Sequence, residues 1–139
     1  MSQRNKDLVA GLYAAMDRHD FEAAAAMLSP SFRFYVADNP PVSTREEFVG
    51  VLQMFYMAFP DGRHEFRDIL ADGDQVVTAG TWTGTHQGTF QGVPASNKRV
   101  RINVIHIDRI VEDHIVEHRG VGDFLSLMRQ LGAVGEPSS

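Results

Sequence analysis

The sequence predicts an α+β fold: three N-terminal helices packed on a strongly curved, mostly antiparallel sheet with an internal pocket, then a short C-terminal helix. Two observations predict it. Apolar residues recur at helical spacing through the first third, and Val- and Thr-rich alternating segments fill the second half. Helices first and antiparallel strands afterwards give α+β. The concave apolar face of such a sheet is a place for a small molecule.

Leu8, Leu12, Ala15 and Met16 mark the first helix. Asp20 can cap a second, short one in which Phe21, Ala24, Ala25 and Leu28 share a face, and Ser29-Pro30 should stop it. Phe32 to Val36 is aromatic and β-prone, before Asp38-Asn39-Pro40-Pro41 breaks the chain. Ser43 with Glu46, or Thr44 with Glu47, forms a capping box for a third helix with Phe48, Val51, Leu52, Phe55 and Phe59 inward. Arg63 to Leu70 alternates weakly, Asp72-Gly73-Asp74 is a turn, and Gln75 to His86 alternates well. Gly84, Gly88, Gly92 and Pro94 mark a bulged or irregular connection. Arg99 to Val111 is the strongest strand signal, and a tight turn at Glu112-Asp113 leads into His114 to Val121. Asp123 can cap a last helix through Phe124, Leu127, Met128 and Leu131, closed by Gly132, and Gly135 to Ser139 reads as a tail.

Composition narrows the function. The 139 residues suit one domain over 1–139, and 13 Lys and Arg against 18 Asp and Glu leave a net charge of −5. That balance argues against nucleic-acid binding, which needs basic surface to displace counterions. Without cysteine there are no disulfides, thiolate metal sites or cysteine nucleophile. No apolar run reaches the roughly 20 residues of a membrane span, and MSQRNKDL has no signal core, so no membrane association and a cytoplasmic location are expected. His114-x-x-x-His118 has helix-type ligand spacing but crosses a turn and a strand, and no metal is expected.

Two histidines carry the chemistry. The even residues of Arg99 to Val111 are Val100, Ile102, Val104, His106, Asp108 and Ile110, the more apolar face, which should point inward. The next strand's even residues, Val116, His118 and Gly120, should join them, with Glu117 and Arg119 in solvent. A strict two-residue turn would pair 106 with 119. A three-residue loop over Val111 to Asp113 would pair 106 with 118, and the polarity pattern favours it. Directly opposed, the two Cβ atoms would lie about 5 Å apart. Coupling would keep one imidazole neutral near pH 7, giving a general base and a hydrogen-bond donor in an apolar wall. His86, on the parity of Trp82, can line the cavity mouth or face water. Asp123 can be an acid or simply a cap.

The stretch Gly84 to Gly132, above all GTHQGTFQGVP, IHIDRI and EHRGVGDFLSLMRQLG, closely resembles the SnoaL-like polyketide cyclase family. The resemblance implies a cone-shaped α+β barrel of the nuclear transport factor two-like superfamily, a homodimer through the sheet, and no cofactor. Cyclases of this family close the last ring of an aromatic polyketide by an aldol condensation. An aspartate takes the carbon-bound proton, and a histidine and the pocket stabilise the enolate. By that resemblance the family's histidines fall on His106 and His118, and the aspartate opening the last helix falls on Asp123. The catalytic aspartate's position is Gly120, and a polar residue of the first strand is replaced by Phe34.

The expected function is a cofactor-free acid/base enzyme, of cyclase, isomerase or lyase type, on a hydrophobic carbonyl compound such as a polyketide. His118 or His106 is the base and the other the donor, with His86 and Asp123 as second-choice participants. Trp82, Tyr13, Tyr35, Phe34, Met54, Phe55, Val104 and Gly120 are the candidate pocket residues. The alternative is a non-catalytic binding protein that keeps the fold and lacks the acid.

Overall fold

The computed structural model describes residues 2–36 and 44–133. Helix α1 (Ser2–Asp17) buries Val9, Leu12, Ala15 and Met16 as one stripe, and Asp20 caps α2 (Phe21–Ala26) by accepting the Ala23 N–H. Strand β1 (Leu28–Val36) begins earlier than expected, so Ser29-Pro30 lies inside it. β1 is an edge strand paired only with β5 (His114–Gly122), and an edge tolerates the N–H that proline lacks. Thr44 Oγ1 accepts the Glu47 N–H and caps α3 (Arg45–Ala58), whose buried face carries Phe48, Leu52 and Tyr56. The alternative cap Ser43, the break at Asp38 to Pro41 and the tail from Gly135 lie outside the described residues.

Strands β2 (Arg63–Asp72), β3 (Gln75–Thr85) and β4 (Arg99–Val111) complete a sheet of order β1-β5-β4-β3-β2. Only β1 and β5 run parallel. The α+β class is as expected, but among the described residues the sheet does not close into a barrel: β1 and β2 remain its edges. Helix α1 packs on β2 and β3, α3 on β1, and α4 (Phe124–Gln130) on β4.

The irregular connection expected around Gly84, Gly88, Gly92 and Pro94 forms, but it starts after Gly84, which stays in the ladder. The β3–β4 ladder is unbroken from Gln75↔Arg109 to Thr85↔Arg99, and the irregularity falls in the loop of residues 86–98. Bulges occur instead in β2, between Phe66 and Asp68, and in β5 at Val116. At the β2 bulge the chain crowds β3: a Cβ on Gly80 would lie 1.9 Å from the Glu65 carbonyl oxygen, so only glycine fits. Two apolar clusters result. One joins α1, α2, α3 and β1 around Tyr13, Phe32 and Phe48; the other joins α4 to the sheet around Phe59, Trp82 and Leu127. No helix among the described residues is long and apolar enough to cross a membrane.

Candidate active site

The β4–β5 hairpin sets the site. Glu112 and Asp113 both take positive φ, 50° and 64°, the backbone of a two-residue hairpin turn, and the ladder starts with Val111↔His114 and Ile110↔Ile115. Unbroken, that ladder would put His118 on the outer face. Val116 is surplus, however, and beyond it Asp108 faces His118 and His106 faces Gly120. The direct pairing of His106 with His118 is therefore corrected to a diagonal one. Both rings still point inward and stack, with centroids 5.2 Å apart and planes 26° apart. The turn register puts Ile115 fully inside, and Val116 is only half-buried, so Val116 is not the inward residue that alternation predicted.

Asp108 is the group that sequence reasoning placed on the inner face but gave no role. It is fully buried, and His118 Nδ1 lies 2.7 Å from its Oδ1. Tyr13 Oη–H donates to its Oδ2 at 3.0 Å. A carboxylate only accepts, so the His118 ring proton sits on Nδ1 and Nε2 is the free nitrogen. Burial, then the Asp108 charge, push the Tyr13 phenol well above its ordinary value and keep it a donor. His106 has no carboxylate of its own; its Nδ1 lies 3.4 Å from Thr78 Oγ1. Burial, reinforced by His118 and His64, holds the His106 imidazole well below its ordinary range, so it is neutral at pH 7.

A third imidazole, His64 on β2, also lines the cavity and was not foreseen. Its only sequence signal was the weak alternation of that strand. Gly120 has no side chain to contribute, and a Cβ there would lie 2.9 Å from His106 Cδ2 and 3.5 Å from His118 Nε2. The space in front of the two rings stays open because residue 120 is glycine.

These rings face a cavity of about 160 Å³ between the helices and the sheet. Tyr13, Phe34, Tyr35, Phe55, Trp82, Val104 and Gly120 line it together with His106 and His118. Phe124 also lines it while 40% exposed, which places an opening towards α4. Three candidates stand elsewhere. Met54 is 42% exposed and points away from the cavity lining. His86 is fully buried outside it, stacked on Phe59, with Nδ1 2.9 Å from Ser96 Oγ. Asp123 caps α4 by accepting the Ser126 N–H. His86 shares the parity of Trp82 and Asp123 a family position, but a contact beyond the strand end and a helix cap hold their side chains.

Comparison with known proteins adds to this geometry. The SnoaL-like polyketide cyclase family matches residues 6–131. The chain is similar to the aklanonic acid methyl ester cyclase DnrD of Streptomyces peucetius, 33% identical over 95 residues that cover 68% of this chain and 66% of that one. The aklanonic acid methyl ester cyclase DauD of Streptomyces sp. strain C5 is also 33% identical over 95 residues, 68% of this chain and 59% of its own. The matched stretch thus spans 66% and 59% of the length of these two relatives, less than two thirds of each. Among solved structures, AclR of Streptomyces galilaeus, a proposed hydroxylase, superposes with a TM-score of 0.90 and 32% identity, covering 97% of this chain and 100% of that one. IdmH of Streptomyces antibioticus, a proposed polyketide cyclase, gives 0.81 and 31%, covering 92% and 98%.

Proposed function

The chain belongs to the SnoaL-like polyketide cyclase family, and from that premise we propose that it is a cofactor-free acid/base enzyme acting on a hydrophobic carbonyl compound such as a polyketide. The observation that carries this reading is the buried Asp108–His118 contact of 2.7 Å beside the neutral His106 ring. His118 Nε2 takes a proton from the carbon next to a carbonyl, and the C–H electron pair moves onto the carbonyl oxygen to form an enolate. Asp108 stabilises the imidazolium that results. His106 donates to the enolate oxygen from Nε2–H, the tautomer in which Thr78 Oγ1 donates to its Nδ1. The enolate carbon then adds to a second carbonyl, regains a proton elsewhere, or expels a leaving group: cyclase, isomerase or lyase. Trp82, Phe55 and Phe34 keep water out and orient a ring. A homodimer through the sheet suits the outer face, where Ile105 and Val121 are cross-strand neighbours, 53% and 59% exposed.

Gly120 favours a second reading. With His106 where it is, position 120 cannot supply a carboxylate, and a cavity can bind without turning over. Solvent deuterium incorporation into hydrophobic ketones and β-keto esters, 1-tetralone among them, separates the two. Exchange above the buffer rate, falling about 100-fold or more in His118→Ala and in His106→Ala, is the enzyme's signature. Binding of the same compounds without exchange assigns a binding protein.

A further inference from the structure

The cavity holds a second imidazole–carboxylate–phenol set that the proposed proton abstraction does not use. His64 Nδ1 lies 2.8 Å from Asp17 Oδ1, and Tyr56 Oη–H donates to the same oxygen at 2.6 Å. The His64 main-chain N–H donates to Asp17 Oδ2 at 2.8 Å. The carboxylate therefore accepts three hydrogen bonds, two of them from His64, and fixes that ring in place and in tautomer. With Nδ1 held by Asp17, Nε2 is the ring nitrogen left to meet a ligand. The His64 side chain is 10% exposed and lines the cavity. Its ring centroid is 5.9 Å from His106 and 4.9 Å from Tyr13, and both of those rings also neighbour His118.

No donor to Nε2 comes from the described residues, and a charged ammonium would carry a desolvation cost among these aromatics, so a neutral donor such as a hydroxyl suits the position. We infer that His64 is a substrate-recognition residue: its Nε2 accepts a hydrogen bond from a phenolic or enolic hydroxyl on the same molecule whose carbonyl meets His106 and His118. The ligand then offers a hydroxyl to His64 as well as a carbonyl to His106 and His118. The carbonyl half of that description rests on the acid/base reading above; the hydroxyl half rests on His64 and Asp17 alone.

Calorimetric binding of 1-tetralone, its phenolic hydroxy isomers and their methyl ethers tests this. At least one hydroxy isomer is expected to bind about tenfold more tightly than 1-tetralone, with the gain lost in its methyl ether. In His64→Phe, which keeps a ring against Tyr13 and Phe66, hydroxy isomer and parent should bind alike. Asp17→Asn, which keeps His64 but removes the charge behind it, should lose part of the gain, and it decides the matter if circular dichroism shows His64→Phe unfolded. A wild type with no hydroxyl preference overturns the inference, as does a preference that survives both substitutions. Proton exchange into 1-tetralone by the wild type is read separately. Absent exchange with a His64-dependent preference removes the carbon-acid reading and leaves the hydroxyl site standing; exchange without a preference does the reverse.

Discussion

The two carboxylates behind the cavity histidines hold the same kinds of partner in different surroundings. Asp108 lies in the middle of a strand, fully buried, and accepts from two side chains, His118 and Tyr13. Asp17 ends α1, keeps 20% of its side chain exposed, and accepts from two side chains and one main-chain N–H. With no water to replace a lost partner, the Asp108 set stands or falls together. The Asp17 set joins a helix end to an edge strand and can exchange a partner for solvent. The contrast points to the strand-borne end as the more rigid one, which is what the proton transfer proposed at His118 would require.

Cutting each carboxylate back is the bluntest way to break this contrast. Asp108→Ala leaves two buried donors unpaired and should cost about 3–5 kcal/mol in urea unfolding, whereas Asp17→Ala should cost about 1–3 kcal/mol. Equal costs would mean that the two ends are equally rigid. Gly120→Ala presses a methyl group on His106 and His118 and leaves the Asp17 set alone. It should cost about 1–3 kcal/mol and slow ketone proton exchange about 100-fold, both measurable on one purified variant. The smallest effect is on pH. Folding lowers the proton affinity of His106 from an ordinary value of 6.5, so below that pH the unfolded chain binds a proton that the folded chain refuses. Stability should fall as pH drops below 6.5, by up to about 1.4 kcal/mol per pH unit, until His106 itself protonates; above 6.5 the group contributes nothing. His106→Phe should flatten urea-derived stability between pH 6.5 and 5.5 relative to the wild type.

Much of the fold was legible because it is written locally. The caps at Asp20, Thr44 and Asp123 and the alternation of β4 depend on residues a few positions apart. The inward faces of His106 and His118 were legible for the same reason. Asp108 was legible on the inner face but not opposite His118, because that pairing depends on the extra residue at Val116. Tyr13 and Asp17 were not legible, because nothing local marks a partner 95 residues away, as Tyr13 is from Asp108, or 47 away, as His64 is from Asp17. His64 was harder still: β2 is an edge strand with a bulge, and its pattern is too irregular to assign an inner face. The bulge at Val116 left no trace, since a bulge of this kind needs neither glycine nor proline.

That surplus residue in β5 also bears on how the protein can change. Pairing from Glu117 onward is anchored on β4, while pairing before Val116 is anchored on the turn. The single unpaired residue between them is slack in the hairpin. A chain lacking Val116 would join the two ladders into one and still bring His118 opposite Asp108, giving up local curvature rather than the site. The register between β4 and β5 would thus keep His118 opposite Asp108 in a hairpin one residue shorter, and the adjustment would fall on the irregular pairing of β5 with β1.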